Sequence, residues 1–247
     1  MLLASSLKRK ERFRFYKGRF FGLDLEFYDP LSLYYELLYI FKDEIYRFDA
    51  VRSDPVIVDG GGFIGLAALY FKTLYPNAKI LTFEPNPHAL TLLHRNLLAN
   101  GVSDVEVISE ALYDRNGEEW FRADETDSAR LNPSGQTKVR TARLSSRIDG
   151  EVDFLKLNIE GSELLVLDDL YSSGKIGLVR ELCIEWHSFR DERQRLSEVL
   201  RILEECGFRY RIADFAKAGR RRVATECHAD LYQLVYGRRM PNLSDSA

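Results

Sequence analysis

Along most of this chain, short apolar runs alternate with longer stretches whose apolar positions recur at helical spacing. Val56-Ile57-Val58 ends in Asp59 and a cluster of glycines, and helix-like sequence follows from Ile64 to Leu74. Lys79 to Phe83 reads as a second strand ending in Glu84. Pro85 to Pro87 then turn the chain into a helix running to about Ala99, where Asn100-Gly101 supplies a C-terminal stop. Val105 to Ile108 is a third strand, Phe154 to Leu157 a fourth and Leu182 to Trp186 a fifth. Helices are predicted from Glu163 to Tyr171 and from Arg190 to Cys206, the latter ended by Gly207. Two closing strands, Phe208 to Ile212 and Leu231 to Tyr236, lack a helical connector of comfortable length and are expected to pair antiparallel. The alternation implies an α/β fold: a Rossmann-like, mostly parallel sheet with helices on both faces.

Two regions break the rhythm. Phe13 to Phe27 is rich in aromatics, is interrupted by Gly18 and Gly22, and reads as a hairpin; Pro30 and Ser32 then introduce helical spacing from Leu33 to Phe48. From Asn116 to Arg140 periodicity gives way to Gly, Pro, Ser and Asp, predicting an irregular insertion with a hairpin through Trp120-Phe121 and Val139. The expected organisation is an N-terminal hairpin and helix over residues 1–50, packed on a catalytic domain over 51–247 that carries the 116–140 insertion.

Composition changes this picture little. The chain has 247 residues, 45% hydrophobic and 30% charged, with a formal net charge of −3, so bulk electrostatics does not point to nucleic acid. Lys8, Arg9, Lys10, Arg12, Arg14, Lys17 and Arg19 crowd the N-terminus, and Lys217 and Arg220 to Arg222 lie near the other end. Solvated surface and a patch attracting an anionic substrate or membrane are both open readings of these clusters. Cys183, Cys206 and Cys227 are scattered, with no Cys-x-x-Cys pair, so neither a disulfide framework nor a zinc site is indicated. A reducing compartment, the cytoplasm, is expected. No apolar run approaches the roughly 20 residues that span a bilayer. Oligomeric state has no signature in the sequence.

The informative chemistry starts at Asp59-Gly60-Gly61-Gly62-Phe63-Ile64-Gly65, which leaves a buried strand and opens a helix, where open α/β sheets bind ligands. Glycines let backbone approach a ligand closely. Glu84 ends the next strand, 24 residues after Gly60, and a carboxylate there can take both hydroxyls of a ribose. Gly60-x-Gly62-x-x-Gly65 also matches the dinucleotide fingerprint, so a nicotinamide or flavin enzyme is an alternative. Asp59 opposes that alternative, because a carboxylate suits the ammonium of S-adenosylmethionine better than a pyrophosphate.

In order and spacing, several segments together resemble the FkbM-type methyltransferases. They are Glu44-Ile45-Tyr46, the glycine turn, Phe83-Glu84-Pro85-Asn86-Pro87, Asn96 and Asn100, Ala111 with Gly117, Leu155 to Glu163, and Glu185-Trp186-His187. The likeness runs from about Gly22 to Tyr236. It implies methyl transfer from S-adenosylmethionine, usually to a hydroxyl of a sugar, polyketide or similar secondary metabolite. Phe63 stands where the family usually has Asn, Asn158 where it usually has Asp, and Leu144-Ser145 where a Leu-Asp pair is common. These departures keep open a third reading, a non-catalytic methyltransferase-like binding protein.

The residues expected to hold the cofactor are Asp59, Gly60, Gly61, Gly62, Phe63, Gly65, Glu84, Pro85, Asn86, Glu110, Ala111, Leu112 and Asn158. Within that set Glu84 serves the ribose, Asp59 the methionine moiety, and Glu110 to Leu112 the adenine. Catalytic candidates are His187, Glu160 and Asn158. His187 is the first choice for a general base, since an imidazole titrates near neutral pH; a histidine that merely ends a strand is the competing reading. Asn158 and Glu160 are too few to make a magnesium site. The other histidines, His88, His94 and His228, show no metal-ligand spacing, so no metal is expected. The acceptor is expected to be a small molecule or glycan rather than a nucleic acid, because no aromatic-basic interleaving of an RNA module is present.

Overall fold

A computed structural model describes residues 6–122, 129–189, 193–214 and 231–240. The chain opens with the expected hairpin, β1 (Tyr16–Phe20) and β2 (Leu23–Phe27), closed by Phe21-Gly22, both at positive φ as a tight hairpin turn requires. In the next element, α1 (Pro30–Glu36), Asp29 caps the start by accepting from the Leu31 N–H at 3.1 Å, with Pro30 in the first turn. This cap starts the helix before the predicted Leu33. A π-helical turn, Leu37–Lys42, continues it. The helix ends well short of the predicted Phe48, because Glu44 turns left-handed (φ 51°) and Tyr46 and Phe48 are drawn into the core.

The regular part follows: β3 (Val56–Gly60), α2 (Leu66–Leu74), β4 (Lys79–Phe83), α3 (Pro87–Ala99) and β5 (Val105–Ile108). The predicted irregular insertion is more ordered than its composition suggests. Four strands, β6 (Ala111–Leu112), β7 (Gly117–Arg122), β8 (Arg130–Leu131) and β9 (Thr137–Ala142), make a small separate sheet in the order β6-β9-β7-β8. Ala111, Phe121 and Val139 form its core, too few buried positions to impress a visible period on the sequence.

β10 (Val152–Leu157), α4 (Glu163–Ser172), β11 (Val179–Ser188), α5 (Leu196–Glu205), β12 (Phe208–Asp214) and β13 (Leu231–Arg239) complete the fold. Among the described residues α5 begins at Leu196, not at Arg190. Its inward stripe is Val199, Ile202 and Leu203, and the polar residues before Leu196 have no apolar face to bury. The main sheet has the order β12-β13-β11-β10-β3-β4-β5, parallel from β11 to β5, with β12 and β13 antiparallel at the other edge. Strand order reverses between β3 and β10, so a crevice opens at their C-terminal ends. One face of the sheet packs against the hairpin, α1, α2 and α3, the other against α4 and α5. The C-terminal basic cluster, Cys227 and His228 lie outside the described residues, as does the middle of the insertion, 123–128. Among the described residues no helix is long and apolar enough to cross a membrane.

Two amides, Asn96 on α3 and Asn100 at its C-terminal cap, fasten the hairpin to this core. Asn96, fully buried, accepts from the Glu26 N–H at 2.7 Å and donates to the carbonyls of Glu26 (3.1 Å) and Ile64 (2.9 Å). One turn on, Asn100 accepts from the Asp24 N–H at 2.9 Å and donates to the Asp24 carbonyl at 2.8 Å. The helix thus offers β2 the donors and acceptors of a neighbouring strand. Asn96→Leu strands three backbone groups, and a urea titration is expected to show a loss of about 2–4 kcal/mol with the sheet otherwise intact.

Candidate functional site

The crevice is built on a row of polar residues inside the sheet. Register sets Asp59 of β3 between Lys156 of β10 and Thr82 of β4, so the three side chains share one level of one face. Lys156 Nζ lies 2.8 Å from Asp59 Oδ1, and the Thr82 hydroxyl donates to Oδ2 at 2.8 Å. Both charged groups are buried. Burial works against the ammonium, but the Asp59 carboxylate outweighs it and holds the Lys156 pKa above the ordinary lysine value. Lys156 also donates to the carbonyls of Gly61 (2.6 Å) and Gly60 (3.2 Å), so the ion pair grips the turn that follows β3.

Glycine is required in that turn. A Cβ on Gly61 (φ 86°) would sit 1.8 Å from the Asn158 carbonyl oxygen, and one on Gly62 would sit 2.4 Å from the Thr82 hydroxyl. The N–H groups of Gly61 and Gly62 both donate to the Phe83 carbonyl at 2.9 Å. The ends of β3, β4 and β10 are thereby drawn together around a cavity of about 620 Å³, open mouth included.

At one end of the cavity stands Glu84, with Pro85 and Asn86 beside it. Its two oxygens accept from the N–H groups of Phe63 and Asn86, each at 2.7 Å. Burial pushes its pKa up to about 7 in spite of those two donors. Ala111, Leu112, Phe121 and Leu131 bring the small sheet over the cavity as an apolar wall. Asn158, Ile159 and Glu160 form the opposite end, and the Asn158 Oδ1 is buried there with no hydrogen-bond partner. Phe63 (φ 44°) and Glu160 (φ 54°) flank the crevice in left-handed backbone, which is strained for such residues.

Glu160 reaches from the cavity wall to His187, whose Nε2 is 3.1 Å from Glu160 Oε1 and whose Nδ1 is 2.8 Å from Glu163 Oε1. Glu163 is itself held by the Gly161 N–H at 3.0 Å. Burial opposes a charge on the imidazole, yet the flanking carboxylates, Glu163 foremost, hold its pKa well above the usual histidine value. His187 is thus held between two carboxyl groups, one at each ring nitrogen. It lies behind Glu160 rather than in the wall of this cavity, with both ring nitrogens engaged by carboxylates.

Other expected site residues divide. Gly61, Phe63, Glu84, Pro85, Asn86, Ala111, Leu112, Asn158 and Glu160 all line the cavity. Asp59 does not, because its carboxylate is spent on Lys156 and Thr82. Gly60 packs beneath Leu112 and Leu157, Gly62 sits against Thr82, and Gly65 (φ 91°) opens α2. Glu110 turns away to pair with Arg147. Among the cavity residues that escaped the sequence reading, two are charged, Glu36 at the end of α1 and Arg130 on β8. Glu36 interrupts an apolar helical stretch and is otherwise silent, while Arg130 lies in the insertion with no pattern to mark it. Two outlying motifs meet behind the site, where the Tyr46 hydroxyl donates to Glu185. Among the described residues no group of three or more His, Cys, Asp or Glu side chains is arranged to hold a metal ion.

A model of the methyltransferase FkbM domain matches residues 57–210. The chain belongs to the FkbM methyltransferase family. It is 31% identical over 209 residues to methyltransferase sdnD of Sordaria araneosa, covering 68% of this chain and 79% of that protein. Methyltransferase 1 of Beauveria bassiana is 28% identical over 202 residues, covering 68% and 78%. Among solved structures, methyltransferase FkbM from Methylobacillus flagellatus KT superposes with a TM-score of 0.53 at 17% identity, over 82% of this chain but only 47% of that one. M. jannaschii TYW2, solved in complex with AdoMet, gives 0.52 at 14% identity over 94% and 89%. S-adenosylmethionine is the methyl donor that goes with the FkbM family and its fold.

In this FkbM chain Lys156→Met would leave Asp59 as an unpaired buried charge. Chemical denaturation is expected to show a loss of about 3–5 kcal/mol. The double variant with Asp59→Asn is expected to recover part of that loss.

Proposed function

We propose that the protein transfers the methyl group of S-adenosylmethionine to a hydroxyl oxygen of a small acceptor, a sugar or similar secondary metabolite, within this cavity. The observation that carries the reading is the acidic side chains of the wall: Glu36, Glu84 and Glu160 line it, with Arg130 the one cation among the described residues. The carboxylates of Glu36 and Glu160 suit a donor with a sulfonium and an ammonium and repel the pyrophosphate of a dinucleotide, while Glu84, its pKa pushed up to about 7, is placed to receive a ribose. The residues also fit such a donor sterically, since Gly61 leaves room for close backbone approach and Asn158 Oδ1 presents a buried acceptor in want of a donor.

When bound, the sulfonium supplies an electrophilic methyl carbon. The chain's own groups then bind, align and move a proton. Glu84 takes the ribose hydroxyls while Pro85, Ala111 and Leu112 flank the base. Asn158 hydrogen-bonds at the reacting end. Glu160 accepts the proton of the acceptor hydroxyl as that oxygen attacks. His187 is a positioning residue: held by Glu163, it fixes the Glu160 carboxylate in a single orientation. Asp59 acts one step further back, by holding the glycine turn through Lys156.

Calorimetric titration tests the donor site: S-adenosylhomocysteine is expected to bind and NAD is not, and the reverse would overturn the assignment. Proton linkage gives a second check. The Glu84 carboxyl keeps its proton to about pH 7 in the free protein, whereas ribose hydroxyls donate best to its ionised form. Affinity for S-adenosylhomocysteine is expected to rise severalfold from about pH 6 to pH 8, and to be weak and flat in Glu84→Gln. The same shift costs the free protein stability as pH rises from about 4.5 to 7, where the unfolded chain has lost a proton that the native state still holds. Glu160→Gln is expected to lower kcat by about 100-fold or more with S-adenosylhomocysteine affinity kept. His187→Gln should lower kcat less than Glu160→Gln does, again with S-adenosylhomocysteine affinity kept.

A further inference from the structure

The cation of this cavity is poised differently from the other arginines around it. Arg140 and Arg147 face Glu110, and Arg143 pairs with Asp169 at 2.6 Å. Arg130 forms no ion pair with any described residue, although three carboxylates share its cavity. Its guanidinium lies 3.8 Å from the centroid of the Phe189 ring, a cation–π contact that supports the fork from one face.

The support beneath it is itself fixed. Phe189 lies against Gly161, where a Cβ would come within 2.6 Å of the ring, and Gly161 adopts φ 105°. Guanidinium, ring and glycine thus stack on the turn that presents Glu160. β8, which carries Arg130, belongs to the small sheet that roofs the cavity. Phe189 follows the end of β11, while Glu84 ends β4, three strand spacings away across the sheet, about 14 Å. The ribose end of the cavity therefore carries the Glu84 carboxyl, and the end beyond Glu160 carries a planar cation that pairs with no carboxylate among the described residues.

We propose that Arg130 anchors a carboxylate of the acceptor, so that the substrate is a hydroxylated acid, an acidic sugar or hydroxy acid, with its hydroxyl set toward Glu160. The proposal rests on the methyl-transfer reading of the cavity and names the substrate class within it. A guanidinium takes a carboxylate through two parallel hydrogen bonds, which fixes the direction of the attached carbon skeleton as well as its charge. An acid anchored at Arg130 would leave its hydroxyl free to approach Glu160 from the side opposite Glu84.

The test uses the full chain saturated with S-adenosylhomocysteine and titrated with hydroxylated acids (glucuronate, lactate, 3-hydroxybenzoate), each beside its amide. At least one acid is expected to bind about ten-fold or more tightly than its amide. Arg130→Gln should erase that ratio, and Arg130→Lys restore only part of it. Both variants should keep the melting temperature and the S-adenosylhomocysteine affinity of the parent. Equal binding of acids and amides, or binding of neither, overturns the proposal. A loss of S-adenosylhomocysteine affinity in Arg130→Gln also overturns it, by assigning the guanidinium to the donor's own carboxylate. Failure of the parent chain to bind S-adenosylhomocysteine at all would instead strike the donor-site reading, a result visible before any acid is added.

Discussion

The buried contact between Asp59 and Lys156 is the interaction on which the rest of the site depends. A fully buried ion pair is a poor source of stability, since desolvating two charges offsets most of their attraction. Here its value is geometric. One ammonium ties the carboxylate of β3 to the carbonyls of Gly60 and Gly61, so that strand end, turn and neighbouring strand are fixed by one group. The Thr82 hydroxyl extends the same row to β4. The three strand ends that floor the cavity are thus locked in register by polar side chains in an otherwise apolar sheet.

A second polar assembly sits beside the first. Glu163, His187 and Glu160 run in series from the start of α4 through the end of β11 to the cavity wall. Tyr46 and Glu185 lie on the same side of the sheet, and both have pKa values raised chiefly by burial. The N-terminal segment that supplies Tyr46 and Glu36 therefore does more than cover apolar surface: it sends one side chain behind the site and another into it.

The order of strands and helices was legible in the sequence wherever burial spans a whole face. β4, α3 and β5 begin and end where periodicity places them, and Pro87 and Asn100 mark both ends of α3. Legibility failed where other forces set the boundary. The Asp29 cap and the left-handed Glu44 moved both ends of the first helix, and the small sheet has too small a core to show a period. For the site, the glycine turn and Glu84 could be found because their chemistry is local in sequence. The direction of a side chain is not local. Register places Lys156 beside Asp59, and two acids lie against His187, and neither neighbourhood can be read from the residues around them in sequence.

Phe63 shows what such a framework tolerates. It holds a left-handed conformation that Asn or Gly accepts readily and a phenylalanine resists, at a cost of about 1–3 kcal/mol. Its N–H nevertheless donates to Glu84, and its ring forms part of the cavity wall. The N–H bond to Glu84 helps hold the main chain in this conformation against that cost. Position 63 thus spends conformational energy to set an aromatic ring, rather than a small polar side chain, on the wall of the cleft.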